Sequence, residues 1–232
     1  MELSVNITND LLARLISSRG MIVRAQQRIR LPEALEAVRI IGTFSTPAFV
    51  LDDNNRFAYD NLLRWCISDP AMQCMGEDGQ PVPGDLQKGI YLYGDTGTGK
   101  SLLLDICRTF CKIYKIGIKA GDQVSPLAWR TERADDICDA VGADGDLHQW
   151  KAEKVLCIQD LGNEPAEILY MGNRRRVLRS VIEARGDMYD RLTLISSNFP
   201  PSKLAPIYGN RVQSRIRQMC NPIYLGGNDR RK

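Results

Sequence analysis

Apolar residues recur along this chain with two different spacings, and the change between them divides it. Over residues 1–45 the spacing is helical. Leu11, Leu12, Leu15 and Ile16 share one face behind a cap at Thr8 or Asn9. Pro32 suits the first turn of a second helix that carries Leu35, Val38 and Ile41 and stops at Gly42. The region holds no strand pattern and no catalytic motif, so it reads as a helical arm or partner-docking element, with packing onto the main domain an equal alternative. Residues 46–88 read as a segment leading into the core. Asp52-Asp53-Asn54-Asn55 is a turn signal there, Tyr59–Ile67 a short helix, and 69–88, with Pro70, Gly76, Gly79, Pro81, Pro83 and Gly84, a loop.

From Gly89 to Lys232 short apolar runs alternate with helical stretches. The strands expected are Ile90–Tyr93, Ile116–Ala120, Val155–Ile158, Leu192–Ser196 and Ile223–Leu225. Between them Lys100–Tyr114, Ser125–Val141, Arg174–Arg185 and Ser202–Met219 read as helices, with a short turn over Leu147–Ala152. Such alternation predicts an α/β domain over 89–232: a parallel sheet with helices on both faces.

Composition narrows the picture only a little. A chain of 232 residues, 44% hydrophobic and 25% charged, can bury one substantial core. A net charge of +3 permits nucleic-acid contact without arguing for it. The apolar runs are too short to cross a bilayer and the N-terminus lacks a signal-peptide pattern, so a cytoplasmic protein without membrane association is expected. Seven scattered cysteines read as reduced thiols; Cys107 and Cys111 stand four apart on a helix, but no second ligand pair accompanies them and His148 is the lone histidine.

The chemistry concentrates in Gly94-Asp95-Thr96-Gly97-Thr98-Gly99-Lys100-Ser101, which matches G-x-x-x-x-G-K-S. Glycines let the backbone curl so that successive amides point at the β- and γ-phosphates, and the helix that follows adds the positive end of its dipole. Lys100 neutralises phosphate charge and the Ser101 hydroxyl ligates Mg²⁺. The strand Ile90–Tyr93 running into Gly94 and the apolar helix from Leu102 supply the context such a loop needs, so Gly94 through Leu102 are the residues expected to bind ATP. A triphosphate site also needs a carboxylate at the end of a neighbouring strand. Val155-Leu156-Cys157-Ile158-Gln159-Asp160 offers Asp160, for metal binding and for polarising water.

Three segments make the pattern more specific: Gln159-Asp160-Leu161-Gly162-Asn163-Glu164, Thr193-Leu194-Ile195-Ser196-Ser197-Asn198, and Tyr208-Gly209-Asn210-Arg211-Val212-Gln213-Ser214-Arg215. With the phosphate loop they resemble the AAA+ ATPases of the DnaC/IstB group, bacterial and phage helicase loaders and transposition helpers. The resemblance covers roughly residues 50–230. It implies a P-loop NTPase three-layer sandwich without a C-terminal helical lid, which fits a sequence that stops soon after these motifs. It makes Asn198 the sensor that holds the attacking water or γ-phosphate. It makes Arg215 the arginine finger, with Arg211 one turn earlier, acting on a neighbouring subunit's nucleotide, and so implies self-association into a ring or spiral.

One departure stands out: the group's strand usually ends in two adjacent acids, and here the first is Gln159. Mg-ATP binding should survive and hydrolysis should be slow or partner-stimulated; a shift of Asp160 to the metal with Glu164 moving in is the less favoured alternative. Arg174-Arg175-Arg176 are expected to open a helix with Val177, Leu178, Val181 and Ile182 inward and Arg175, Arg176 and Arg179 outward, Arg185 lying near its end. Such a face is either simply solvated or a contact for single-stranded DNA or a neighbouring subunit. The function implied is an ATP-controlled helicase-loader-like factor in DNA replication, with a replicative helicase and single-stranded DNA as partners. A transposition helper of IstB type, a nucleotide-binding switch with little hydrolysis, and a small-molecule kinase are the rival readings.

Overall fold

Val155-Leu156-Cys157-Ile158 is apolar at four successive positions because both faces of its strand are covered. Val155 and Cys157 face one core and Leu156 and Ile158 the other, all at most 2% exposed. The computed structural model describes residues 11, 12, 15, 22–24, 27–120 and 123–230. Before the main sheet come β1 (Ile22–Val23), α1 (Leu31–Ser45), α2 (Asp53–Ile67) and a hairpin of β2 (Gln73–Met75) and β3 (Pro81–Pro83). The core then runs through β4 (Gly89–Tyr93), α3 (Lys100–Ile113), the hairpin of β5 (Gly117–Ala120) and β6 (Gln123–Pro126), β7 (Arg130–Arg133), α4 (Ala134–Asp144) and α5 (His148–Ala152). It continues with β8 (Val155–Leu161), the hairpin of β9 (Ile168–Tyr170) and β10 (Asn173–Arg175), α6 (Val177–Gly186), β11 (Leu192–Ser197), α7 (Ala205–Tyr208), α8 (Asn210–Met219) and β12 (Cys220–Tyr224).

Five strands form one sheet in the order β12-β4-β11-β8-β7, every neighbouring pair parallel. Side chains alternate across it. Ile90, Leu92 and Leu194 meet α1, α2 and α3 on one face; Tyr91 and Ile195 meet α4, α6 and α8 on the other. The arrangement is the expected three-layer α/β sandwich. Phe110, Leu103, Leu62 and Trp65, all fully buried, fill the first layer, and Val181, Ile182, Val212 and Ile216 the second. Burying such side chains stabilises each by about 1.5–3 kcal/mol. No described helix is long and apolar enough to cross a membrane. All seven cysteines are free and buried.

Several local expectations need correction. The second strand of the sheet is β7, which lies inside the stretch expected to be helical over Ser125–Val141. As an edge strand of sequence Arg-Thr-Glu-Arg it is half-exposed and shows no apolar alternation. The strand expected at Ile116–Ala120 exists as β5, but it pairs antiparallel with β1 and β6, outside the main sheet. The segment 69–88 contains the β2–β3 hairpin, and the helix expected at Tyr59–Ile67 begins six residues earlier. There Asp52 caps it by accepting from the amides of Asn54 and Asn55. Arg174 and Arg175 belong to β10, since α6 starts only at Val177.

Arg185 does not join a solvated face. It is 1% exposed and donates to the carbonyls of Trp150, Glu153 and Leu192 and to Thr193 Oγ1. At the N-terminus, Leu11, Leu12 and Leu15 are helical and exposed; the cap at Thr8 or Asn9 and the face residue Ile16 lie outside the described residues.

Candidate nucleotide-binding site

The loop between β4 and α3 turns sharply at Gly97 and Gly99, whose φ angles of +83° and +97° lie where a side chain would strain the backbone. Gly99 is the residue that caps α3, and no side chain bonds to the helix's first amides. With no acidic residue in that first turn either, the amides and the positive end of the helix dipole face the cleft. Thr98 ties the loop down by donating through Oγ1 to Asp95 O at 2.9 Å.

Lys100 is only 6% exposed. Its Nζ donates to Gly94 O at 2.9 Å, Asp95 O at 2.8 Å and Asn198 Oδ1 at 2.8 Å. The last bond brings together two residues 98 apart in sequence, because β11 is the parallel neighbour of β4. Loop, lysine and amide open into a cleft of about 720 Å³, also lined by Ser101, Leu102, Asp160 and Asn163.

Asp160 reaches this cleft through a bulge. Ile195 pairs with Ile158 and Ser197 with Leu161, so Ser196 alone faces both Gln159 and Asp160. Asp160 takes a left-handed conformation, φ +57°, which costs a non-glycine residue about 1–2 kcal/mol. A bulge re-aims a side chain and leaves its own amide without a ladder partner. Here Ser196 Oγ accepts from Asp160 N at 3.1 Å, and Ser197 Oγ donates to Leu161 O at 2.6 Å. Asp160 lines the cleft, whereas Gln159 stays buried in the sheet at 8% exposed and does not. The Asp160 carboxylate accepts from Arg133 Nη1 at 3.0 Å.

Glu164 is committed elsewhere. Its carboxylate accepts from Gly162 N at 2.8 Å and, in a short hydrogen bond, from Tyr208 Oη. Burial, reinforced by that carboxylate, pushes the Tyr208 phenol well above its ordinary value, so it remains a donor. Arg215 does not line the cleft. On α8 it lies across Gly186, pairs with Asp187 and donates to Gln218 Oε1 at 2.8 Å; Arg211 approaches Glu183 at 3.7 Å.

The structure therefore gathers Lys100, Ser101, Asp160 and Asn198 around one cleft and leaves Arg215 on an outer helix. Sequence reasoning missed Arg133, Thr46, Asn163 and Arg230, which share the cleft wall. Arg133 was hidden by the helix expected over its strand. Thr46 and Arg230 carry no local signal, being brought in from just after α1 and from beyond β12.

Counting only strands of the main sheet, the order is 5-1-4-3-2, with the phosphate loop after the first strand, the acid near the end of the third and the polar amide after the fourth. That is the architecture of a P-loop NTPase of the AAA+ type. No protein-family model matches the chain, and no curated protein matches it. Solved structures do. A crystal structure of DnaI superposes with a TM-score of 0.53 at 19% identity over 81% of this chain and 93% of that one. Domain III of the Thermotoga maritima replication initiation protein DnaA gives 0.52 at 17% identity over 79% and 67%. The chain shares its fold with these two structures.

Proposed function

We propose that this chain binds Mg-ATP and acts as a helicase-loader-like ATPase in DNA replication. The observation that carries the reading is the Lys100–Asn198 hydrogen bond, which joins the phosphate loop to the end of β11 inside a cleft that Asp160 also lines. The residues present fit the ligand. Glycines at 97 and 99 leave the amides open, and a hydroxyl and a carboxylate, Ser101 and Asp160, share the cleft as hard oxygen donors suited to magnesium. Gly94 through Leu102 hold the phosphates, with Lys100 leaving the loop carbonyls for them. Mg²⁺ neutralises charge on the leaving phosphates when bound. Asp160 polarises the attacking water, released from Arg133 to do so, and Asn198 orients it. Arg215, outside its own cleft, serves a neighbour's nucleotide, which calls for a ring or spiral of subunits.

Two solved structures that share this fold are DnaI and a replication initiation protein, which favours the replication role. The helicase-docking part is assigned to residues 1–45, where α1 leaves Ile40 62% and Phe44 92% exposed. Single-stranded DNA is assigned to the exposed guanidinium groups beside β10, Arg174 and Arg176, which share the single acid Glu167. Co-purification with a replicative helicase that depends on ATP tests the reading. Capture of a transposase instead, with filaments on duplex DNA, would replace it by the transposition helper.

Gln159 stands at the position of the group's first acid but is buried in the sheet outside the cleft lining and brings no charge to a metal shell; slow or partner-stimulated turnover is proposed on that ground. Replacing Gln159 by Asp should raise steady-state hydrolysis about tenfold or more, since each tenfold needs only about 1.4 kcal/mol at the barrier. Phosphate release measured on folded variant decides this; unchanged turnover would mean that the glutamine is not what limits the rate.

A further inference from the structure

Arg230 belongs to no motif, yet the chain after β12 doubles back over the phosphate loop to deliver it. Leu225 N donates to Tyr93 O at 2.8 Å, and a Cβ placed on Gly94 would stand 2.0 Å from Leu225 O. Asp229 covers Gly97, where an added Cβ would meet Oδ1 at 2.2 Å, and Arg230 N donates to Gly97 O at 3.0 Å. The Arg230 side chain then crosses to α2. Its Nη2 donates to both oxygens of Asp52, at 2.9 and 2.8 Å, while Asp52 also caps that helix.

Two features separate this arginine from a simple tether. Its Nε–H is buried without a hydrogen-bond partner among the described residues. The residue also forms part of two walls at once, that of the phosphate cleft and that of a smaller cavity of about 50 Å³ lined by Phe49, Tyr59 and Leu102. A buried N–H left unmade is costly, and a guanidinium fork suits phosphate and hydroxyl acceptors better than it suits a single carboxylate. The cleft beside it is lined by the phosphate loop and the Lys100 ammonium, a positive setting that suits an anion.

We propose that Arg230 is a ligand-contacting residue of the nucleotide site. Its solvent-facing guanidinium donors bind the α-phosphate and ribose of a nucleotide held by the phosphate loop, and Asp52 holds the guanidinium in position before the ligand arrives. The inference rests on the Mg-ATP reading and adds a residue to it. Because the contact lies toward the nucleoside, ADP and ATP depend on it equally.

Calorimetric titration of ADP and ATP into wild type, Arg230→Ala, Arg230→Lys and Asp52→Asn, with melting curves of the unliganded proteins, provides the test. Arg230→Ala should weaken both nucleotides about tenfold, the loss of one charge-assisted hydrogen bond. Arg230→Lys, which can keep the ion pair with Asp52 but lacks the guanidinium fork, should show a similar loss; it also stands in if the alanine variant does not fold. Asp52→Asn retains an equally good helix cap and releases the guanidinium, so affinity should be unchanged or tighter. Affinity within twofold of wild type in Arg230→Ala, a loss confined to ATP, or an equal loss in Asp52→Asn would each overturn the proposal. Wild-type protein that takes up no nucleotide would overturn the Mg-ATP reading as well, whereas a binding wild type with an indifferent Arg230 sinks this inference alone.

Discussion

Replacing Lys100 by alanine is expected to weaken ATP uptake at least about 100-fold while the protein stays folded. Lys100 Nζ makes hydrogen bonds to Gly94 O, Asp95 O and Asn198 Oδ1, so the ammonium is already positioned over the loop. A bound triphosphate exchanges carbonyl partners for anionic oxygens, and each hydrogen bond to a charged group contributes about 1.5–3 kcal/mol. Two such bonds amount to about 3–6 kcal/mol, and 1.4 kcal/mol is a factor of ten in affinity. Folding should suffer less, since the loop carbonyls that lose the ammonium line a cleft open to water. Calorimetry on the folded variant measures the effect. Affinity within threefold of wild type would remove the basis for reading the loop as a phosphate cradle.

The largest effect on stability is expected at Arg185, whose replacement by alanine should cost about 3–5 kcal/mol. The side chain is 1% exposed and, among the described residues, no carboxylate hydrogen-bonds to it; three carbonyls and a hydroxyl solvate it instead. Burial lowers its pKa to about 10, so it remains a cation at neutral pH. Its acceptors come from three places: Trp150 and Glu153 before β8, and Leu192 and Thr193 at the start of β11. Removing the fork strands these carbonyls in a low-dielectric layer and opens a hole the size of the side chain. For a chain of this size each kcal/mol lowers the melting temperature by about 2–4 °C, so a drop of about 6–20 °C is anticipated. Because Arg185 sits at the ends of β8 and β11 where the strands begin, away from the phosphate loop, ATP affinity of the folded variant should not change. Urea unfolding showing a loss below 1 kcal/mol would contradict this account.

How much of this was legible in the chain depends on the range of the interaction involved. The strands Val155–Ile158 and Leu192–Ser196 announce themselves because burial on both faces demands unbroken apolar runs. The strand Arg130–Arg133 has no such signature, since an edge strand needs apolar residues on neither face consistently, and a neighbouring helix absorbed it. Likewise the arginine run at 174–176 looked helical from its downstream partners Val177, Leu178 and Val181. Backbone pairing with Ile168–Tyr170 decided otherwise, a contact that no local pattern encodes.

For the site the division is sharper. The phosphate loop, its lysine and its serine lie in one unbroken stretch whose geometry follows from glycine freedom and the helix start, so spacing alone determined them. An acid at the end of a buried strand could also be picked out as a residue, but not its direction. Whether Asp160 or Gln159 enters the cleft rests on the bulge opposite Ser196 and on the serine that caps the displaced amide, a register between strands 36 residues apart. Arg133 beside that acid, Asn198 on the lysine and Arg230 beside the phosphate loop are joined by parallel pairing and by chain doubling back. Such contacts depend on free energies summed over the whole fold, which is why they became readable only in three dimensions.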